Sequence, residues 1–134
     1  MPSNARPTPI ASVIVIGYNQ ENFISQAILS VLTQNESRIE CIFVNDGSTD
    51  CSLDLVCDIA GTDSRLRAFS ISNSGPAKAR NYGYSQVTNS SKYVCFLDGD
   101  DFLRPNFVEV CIDYLERHSR NPPGHHPIAV RSDL

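Results

Sequence analysis

The chain has 134 residues, of which 41% are hydrophobic and 19% are charged, a composition that excludes a disordered protein and fits one globular domain. Its formal net charge of −4 and its pI of about 5.2 exclude a general electrostatic attraction for nucleic acid or anionic lipid. No run approaches the roughly 18 apolar residues that cross a bilayer, and residues 1–10 lack the apolar core of a secretory signal. We therefore expect a cytoplasmic domain, either free or at the inner face of the membrane.

Five cysteines occur in the chain, an odd number without a CxxC pair, and several lie inside apolar runs. A thiol in such a run behaves as a small hydrophobic side chain. This pattern favours a reducing compartment over a disulfide-bonded extracellular domain.

The first half of the chain alternates strand and helix patterns. A continuous β-branched run over 12–16 predicts a buried strand, and the apolar residues after it repeat with a helical period that Asn22 can cap. A second strand begins at Ile39 and ends in the sequence DGSTD, where Ser48 or Asp50 can cap a second helix. Strand followed by helix therefore occurs twice.

The second half repeats this alternation. A weaker strand over 65–72 precedes a helix that Ser74 caps and Pro76 opens. The fourth strand, KYVCFL, leads into the acidic sequence DGDD, and Pro105 opens a fourth helix. The core-facing side of that helix is predicted to contain Phe107, Val110, Cys111 and Tyr114.

Four strands that alternate with four helices predict an α/β fold with a mainly parallel sheet and helices on both faces. We assign residues 1–10 to an N-terminal extension and residues 11–118 to the domain. Residues 119–134 are interpreted as an irregular tail, because the sequence PPG over 122–124 interrupts any period there.

Polar sequences follow each of the four predicted strands. They are GYN, NDGSTD, NSGPAKARN and DGDD, whereas the opposite ends of the strands carry ordinary connecting loops such as QNESRIE and TNSSKY. Ligands of open parallel sheets bind beyond the carboxyl ends of the strands. The sequence therefore predicts a functional site at that edge of the sheet.

The strongest candidate within this site is the acidic cluster of Asp98, Asp100 and Asp101. Neighbouring carboxylates suit a hard divalent cation, Mg²⁺ or Mn²⁺, with the remaining ligands supplied by water and by substrate oxygens such as those of a diphosphate. The alternative is an acidic turn that caps the next helix. The position at a strand end beside the other polar loops favours the metal site.

Three other side chains are candidates at the same edge. Asp46 can accept hydrogen bonds from a nucleobase or cap a local turn, and Tyr18 can lie against a base or pack half-buried. Arg80 lies in the first turns of the third helix, where the helix dipole favours anions, and its planar guanidinium suits a phosphate or a base. Lys78 is the weaker candidate, because it can equally be a solvated surface charge.

Together these stretches resemble glycosyltransferase family 2, a group of enzymes with the GT-A nucleotide-sugar-binding fold. The resemblance runs from about Ser12 to Leu115 through SVIVIGYNQENFISQAILSVLTQ, IECIFVNDGSTDCSLDLV, NSGPAKARNYG and YVCFLDGDDFLRPNFVE. A small departure is IGYN, where many relatives have a proline before the aromatic residue. The resemblance implies a Rossmann-like GT-A sandwich that transfers sugar from a nucleotide-diphosphate sugar, most naturally a UDP-sugar, to an acceptor hydroxyl with inversion.

The resemblance also implies roles for the site residues. Tyr18 and Asp46 would contact the nucleobase, and Arg80 would lie near the nucleotide. Asp98 would approach the ribose, and Asp100 would bind Mn²⁺ or Mg²⁺ on the diphosphate. Asp101 would support these groups or cap the following helix.

A complete family domain continues beyond the fourth helix, adding the acceptor site and the carboxylate that acts as general base. We therefore interpret the chain as the donor-binding part, truncated after that helix, with no catalytic base to name. The alternative is a non-catalytic module that binds nucleotide sugar or a partner subunit. A phosphatase with paired aspartates is disfavoured, because its DxD sequence usually follows the first strand.

The expected partners follow from this interpretation. They are a nucleotide-diphosphate sugar and a glycan, lipid-linked or other hydroxyl acceptor used in building cell-surface polysaccharide. Peripheral association with membrane machinery and self-association through an uncovered sheet edge are further expectations. No nucleic acid is expected as a partner.

Overall fold

The computed structural model describes residues 8–118 and the backbone of residues 126–129. Strands and helices alternate along this chain, as the sequence predicts, and no helix in the described part is long and apolar enough to cross a membrane. The elements are β1 (Ala11–Gly17), α1 (Ile24–Leu32), β2 (Ile39–Asp46), α2 (Ser52–Ala60), β3 (Leu66–Ile71), α3 (Pro76–Ser85), β4 (Tyr93–Asp98), α4 (Phe107–His118) and β5 (His126–Ala129).

The strands form one sheet in the order β3-β2-β1-β4-β5, and every neighbouring pair is parallel. Ile16 near the end of β1 lies opposite Val44 of β2 and Asp98 of β4, so the carboxyl ends of these strands are level. The strand order reverses between β1 and β4, which are adjacent although two strands separate them along the chain. Such a switch point opens a crevice between the loops that leave the two strands.

The fifth strand is a correction to the predicted irregular tail. Residues 126–129 pair in parallel with β4, with His126 opposite Tyr93, so β5 rather than β4 forms this edge of the sheet. Backbone pairing with a neighbour defines this short strand, and an edge position tolerates its proline, whereas a side-chain period cannot reveal it. The remaining predicted tail, 119–125 and 130–134, and residues 1–7 of the predicted extension lie outside the described residues.

The core forms two clusters, one on each face of the sheet, because successive strand residues point to opposite faces. Val13 and Val15 of β1 face α1, α2 and α4, while Ile14 and Ile16 face α3. All four side chains are at most 8% exposed. Helices on both faces explain why the strands are apolar without alternation, and they confirm the predicted α/β architecture.

Helix α4 keeps only part of the predicted stripe on its core-facing side, where Phe107 packs against the core. Val108 is buried and Ile112 and Leu115 pack against the core, whereas Val110 and Tyr114 are 53% and 60% exposed. The helix has apolar residues on two stripes, and the sequence alone does not show which of them faces the sheet.

Three helix starts also differ from the prediction. Phe23 rather than Asn22 is the N-cap of α1, Cys51 rather than Ser48 or Asp50 is the N-cap of α2, and Gly75 rather than Ser74 is the N-cap of α3. Pro76 lies in the first turn of α3, as predicted. Gly75 has a φ of 93°, a conformation that glycine adopts without a steric cost.

None of the five cysteines forms a disulfide. Cys41 and Cys95 are buried, and burial raises the pKa of both thiols well above the ordinary value. Both side chains are therefore neutral hydrophobic residues of the core at neutral pH, as their apolar surroundings in the sequence predict.

Candidate functional site

A cleft with a volume of about 240 Å³ lies at the carboxyl edge of the sheet. It is bounded by the ends of β1, β2 and β4 and by the start of α3. Four of the five predicted site residues, Tyr18, Asp46, Asp98 and Asp100, line it. The remaining lining residues are Ile16, Gly17, Gln20, Pro76, Ala79 and Gly99.

Residues 98–101, here called the aspartate loop, begin at the last residue of β4. The carboxylate oxygens of Asp98, Asp100 and Asp101 can all lie within 4.8 Å of one another, with the first two side chains exposed. The N–H of Gly99 donates to the Ile16 carbonyl oxygen at 2.8 Å. A Cβ at Gly99 would lie 3.0 Å from the same oxygen, so the absence of a side chain allows the loop to approach β1 this closely.

Arg80 contacts the aspartate loop from α3. Its Nη2 lies 3.4 Å from Asp98 Oδ1, and both side chains are about half-exposed. Within the described residues, no hydrogen bond or ion pair engages the carboxylates of Asp100 and Asp101. The three acidic groups therefore differ, because Asp98 is paired with the Arg80 guanidinium whereas Asp100 and Asp101 remain open to a ligand.

Asp46 holds the loop between β3 and α3. Its Oδ1 accepts the N–H of Ser74 at 2.8 Å, its Oδ2 accepts the N–H of Gly75 at 3.1 Å, and its carbonyl oxygen accepts Asn73 Nδ2 at 2.9 Å. The side chain is buried, but it still reaches the cleft. A carboxylate has about four lone-pair positions, so Asp46 keeps acceptor capacity beyond these two amides.

Gly47 explains how the chain turns next to Asp46. Its φ is 75°, and a Cβ there would lie 2.7 Å from the backbone nitrogen of Asn73. Any other residue at this position would be strained and would also push the two loops apart.

The loop that contains Tyr18 interlocks with the loop after β2. The N–H of Asn19 donates to Ser48 Oγ at 2.9 Å, and Asn19 Oδ1 accepts the N–H of Thr49 at 2.8 Å. Asn19 has a φ of 53°, which asparagine tolerates better than most residues. Tyr18 is consequently held next to the cleft with 47% of its surface exposed.

Three further hydrogen bonds extend this interlock: Gln20 N–H to Ser52 Oγ, Glu21 N–H to Asp50 Oδ2, and Cys51 N–H to Glu21 Oε1. From the sequence, we predict Ser48 or Asp50 as the cap of α2 and assign no role to Asn19 or Glu21. Asp50 Oδ1 does accept the N–H of Ser52, the first residue of α2, at 2.9 Å, and the structure also joins these residues across about 30 positions of the chain. The signal for this arrangement is that polar residues follow two strands that are neighbours in the sheet.

The site can therefore hold an extended, polar, negatively charged ligand that brings its own cation. Open carboxylates of Asp100 and Asp101 suit a hard divalent ion with oxygen ligands. Tyr18 offers a ring face and Asp46 an acceptor at the other walls of the cleft. The N-terminus of α3 borders the cleft and adds positive potential there, whereas Arg80 does not line the cleft and contacts it only through Asp98.

A family model for Glycosyl transferase family 2 matches residues 12–121. The chain belongs to this family. The match includes all five predicted site residues and runs from β1 to α4, covering the whole resemblance from about Ser12 to Leu115 and extending beyond it.

Relatives of this glycosyltransferase family 2 chain are longer than the chain itself. It is 38% identical over 108 residues to an uncharacterised glycosyltransferase of Haemophilus influenzae, with 80% of this chain and 42% of the relative covered. It is 42% identical over 116 residues to the uncharacterised glycosyltransferase EpsJ of Bacillus subtilis, with coverages of 87% and 33%. The chain therefore spans less than half the length of these relatives.

Solved structures of glycosyltransferases have the same GT-A fold. Residues 1–349 of Staphylococcus aureus TarS in complex with UDP-GlcNAc superpose with a TM-score of 0.73 at 29% identity, covering 81% of this chain and 31% of that one. The mannosyltransferase PcManGT of Pyrobaculum calidifontis, in complex with GDP-Man and Mn²⁺, has a TM-score of 0.72 at 22% identity, covering 89% and 34%. The latter likeness concerns the fold alone.

Proposed function

We propose that the cleft binds the nucleoside diphosphate of a nucleotide sugar, UDP-sugar above others, together with Mn²⁺ or Mg²⁺. In this proposal the whole protein transfers the sugar to an acceptor hydroxyl with inversion. The observation that carries it is that Tyr18, Asp46, Asp98 and Asp100 line the same cleft. Membership of glycosyltransferase family 2 and the likeness to TarS in complex with UDP-GlcNAc support the same conclusion.

The nucleobase would occupy the wall formed by Tyr18 and Asp46. The Asp46 carboxylate already accepts two backbone N–H groups, and as an ionised group it can only accept, so a base must present an N–H to it. The imide N–H of uracil meets this requirement. The ring of Tyr18, about half-exposed, can lie against the base.

The metal would bind to Asp100, with Asp101 as a supporting carboxylate. Asp98 is already paired with Arg80 and would approach the ribose instead, whereas Asp100 is open and exposed. One or two protein carboxylates leave several positions of an octahedral ion to water and to diphosphate oxygens. When bound, the ion supplies neutralisation of the diphosphate charge.

The residues of this chain would then stabilise the leaving group. In the transfer, the acceptor oxygen forms a bond to the anomeric carbon while the bond from that carbon to the diphosphate oxygen breaks on the opposite face. Negative charge develops on the departing diphosphate, where Arg80 and the free N–H groups at the start of α3 can interact with it. The acceptor loses its proton to a base that this proposal leaves unassigned.

A second candidate function is a module that binds nucleotide sugar without transferring it. The observation that favours this candidate is that the chain matches only 42% and 33% of the length of the two relatives named above. We expect the chain alone to bind a nucleoside diphosphate weakly and to transfer no sugar. Sugar transfer by this chain to any acceptor hydroxyl would exclude the second candidate.

Calorimetric titration of UDP, with and without Mn²⁺, tests the proposal. We expect Mn²⁺ to strengthen UDP binding, and Asp100→Asn to remove this dependence on the metal. Asp58→Asn is the matched control, because it removes an exposed carboxylate of α2 that does not line the cleft. Equal, metal-dependent affinity in all three proteins would contradict the metal assignment, and no UDP binding by the unsubstituted chain would contradict the function.

The cellular location stays a prediction: the protein is expected in the cytoplasm, either free or at the inner face of the membrane.

A further inference from the structure

A glutamine two residues after α1 is buried, and its amide is hydrogen-bonded both to α1 and to the segment that follows the aspartate loop. Gln34 is 6% exposed. Its Nε2 donates to the carbonyl oxygen of Arg104 at 2.6 Å and to that of Ser30 at 3.0 Å. Its Oε1 accepts the N–H of Val108 at 2.9 Å. Both donors and the acceptor of the amide are thus used, two of these three bonds across about 70 residues of the chain.

Ser30 and Asn35 add two more links between α1 and the same segment. Ser30 Oγ accepts the N–H of Leu103 at 3.0 Å and donates to the Ala27 carbonyl oxygen at 2.7 Å. The N–H of Asn35 donates to the Pro105 carbonyl oxygen at 2.8 Å. Residues 103–108 are therefore fixed by four hydrogen bonds to Ser30 in the C-terminal half of α1 and to Gln34 and Asn35 just after it.

The aspartate loop is consequently anchored on both sides. Before it, β4 pairs with β1, and the N–H of Gly99 donates to the Ile16 carbonyl oxygen. After it, the N–H of Leu103 is the first group that α1 holds. Only residues 100–102 lie between these two anchors, and they include the proposed metal ligand.

We propose that Gln34, together with Ser30, is a positioning residue for the aspartate loop and thereby sets the affinity for the metal-nucleotide complex. This inference rests on the proposed function. Three carboxylates in four positions repel one another, so a loop fixed on one side alone would spread them apart. The second anchor, provided by α1, keeps Asp100 close to Asp98 before any cation binds, which lowers the conformational entropy lost on binding.

The Gln34 amide is suited to holding this segment in place, because moving the segment away would break buried hydrogen bonds. A buried amide that loses its partners is left unsatisfied, so the contacts form together or not at all. A methionine at position 34 would fill a similar volume and make none of the three bonds. That substitution therefore separates the hydrogen bonds from the packing.

Dissociation constants for Mn²⁺ in the presence of UDP, measured by calorimetry on purified folded variants, test this inference. We expect Gln34→Met to weaken Mn²⁺ binding about tenfold. Ser30→Ala should weaken it severalfold, and Ser30→Thr, which keeps the hydroxyl, should restore it. Ile42→Ala is the control for stability, because Ile42 packs on the opposite face of the sheet, and this variant should melt earlier but bind Mn²⁺ normally.

Each outcome decides the inference. Wild-type affinity in Gln34→Met, or an equal loss of affinity in Ile42→Ala, would overturn it. If the unsubstituted chain binds no Mn²⁺ with UDP, the proposed function fails, and NMR relaxation of the amides of residues 99–101 decides the positioning role without a ligand. Increased mobility of these amides in Gln34→Met, absent in Ile42→Ala, supports the role, and unchanged mobility overturns it.

Discussion

The Asp46 carboxylate accepts the backbone N–H of Gly75 at 3.1 Å, which ties the end of β2 to the N-cap of α3. Its other oxygen accepts the N–H of Ser74 at 2.8 Å. The side chain that is proposed to read the nucleobase therefore also shapes the wall of the cleft against which the nucleotide would lie. Loss of the carboxylate should affect both stability and binding.

For Asp46→Asn we predict a loss of about 1 to 3 kcal/mol in the free energy of unfolding. An amide has only one oxygen, so one of the two N–H groups would face an NH₂ group and lose its acceptor. UDP affinity should fall as well, about tenfold or more. Urea unfolding and calorimetry measure the two effects, with Asp58→Asn as the control. Unchanged stability would show that the two N–H groups do not depend on the carboxylate.

Arg80→Gln, unlike Asp46→Asn, should weaken nucleotide binding without lowering stability. The Arg80–Asp98 pair is about half-exposed on both sides, and such pairs contribute at most about 1 kcal/mol. We therefore expect nearly unchanged unfolding but a loss of about five- to tenfold in affinity for UDP, because a charged donor to the phosphates disappears. Lys78→Gln, in the same helix, should have little effect. A loss of affinity in Lys78→Gln equal to that in Arg80→Gln would mean that only the local net charge matters.

Gly47→Ala should destabilise the protein by about 2 to 3 kcal/mol, because the residue has a φ of 75° and its Cβ would lie 2.7 Å from the Asn73 nitrogen. Gly61→Ala provides the matched control. Gly61 has a φ of −66°, and its added Cβ would be 3.4 Å from the nearest atom, Asp58 O. We expect Gly61→Ala to change the free energy of unfolding by less than about 0.5 kcal/mol. Equal midpoints of urea unfolding for the two variants would contradict the steric explanation.

The buried carboxylate of Glu40 should make stability depend on pH in the acid range. Burial opposes ionisation, but hydrogen bonds from Ser12, Thr88 and Arg67 together hold the pKa of the Glu40 carboxyl below its ordinary value of 4.5. A carboxyl with a lowered pKa in the folded protein stabilises it above the pKa of the unfolded chain. This contribution should be lost as the pH falls below about 4.5 and through the folded-state pKa.

Glu40→Gln should therefore cost about 3 kcal/mol at pH 7 and much less near pH 3, because Arg67 loses its charged partner. Urea unfolding at a series of pH values measures the difference between the two proteins. The pKa values of three other carboxyl groups, Glu36, Asp50 and Asp63, are also lowered. Their contribution to the pH dependence of stability should be the same in the wild-type protein and in Glu40→Gln. A difference that stays constant from pH 7 to pH 3 would contradict the role of the charge.

The sequence predicts the sheet and the edge that carries the site because each depends on local patterns. The apolar runs of β1, β2 and β4 are unbroken, and the DGDD sequence directly follows the last of them. Strand β5 was not predictable in this way, since only its pairing with β4 defines it. The stripe of α4 that faces the core was ambiguous, because both of its apolar stripes satisfy a helical period.

The supporting contacts of the site were missed for a related reason. Two of these contacts join Asn19 to Ser48 and Gln34 to Arg104, residues that lie tens of positions apart. Neither the residue types nor the local sequence indicates which distant residue is the partner. For Asp46, the sequence indicates only part of what the residue does. The sequence offers a nucleobase contact or a local turn, and the structure shows a carboxylate that bridges two loops and still lines the cleft.

The most direct test of the central proposal is paramagnetic line broadening of backbone amide signals by Mn²⁺ in the presence of UDP. We expect the amides of Gly99, Asp100 and Asp101 to broaden first, followed by those of Gly17 and Tyr18 across the cleft. Signals at the opposite edge of the sheet, such as that of Glu40, should persist. Broadening centred on any other part of the chain, or none at Mn²⁺ and UDP concentrations that saturate binding, would contradict the account.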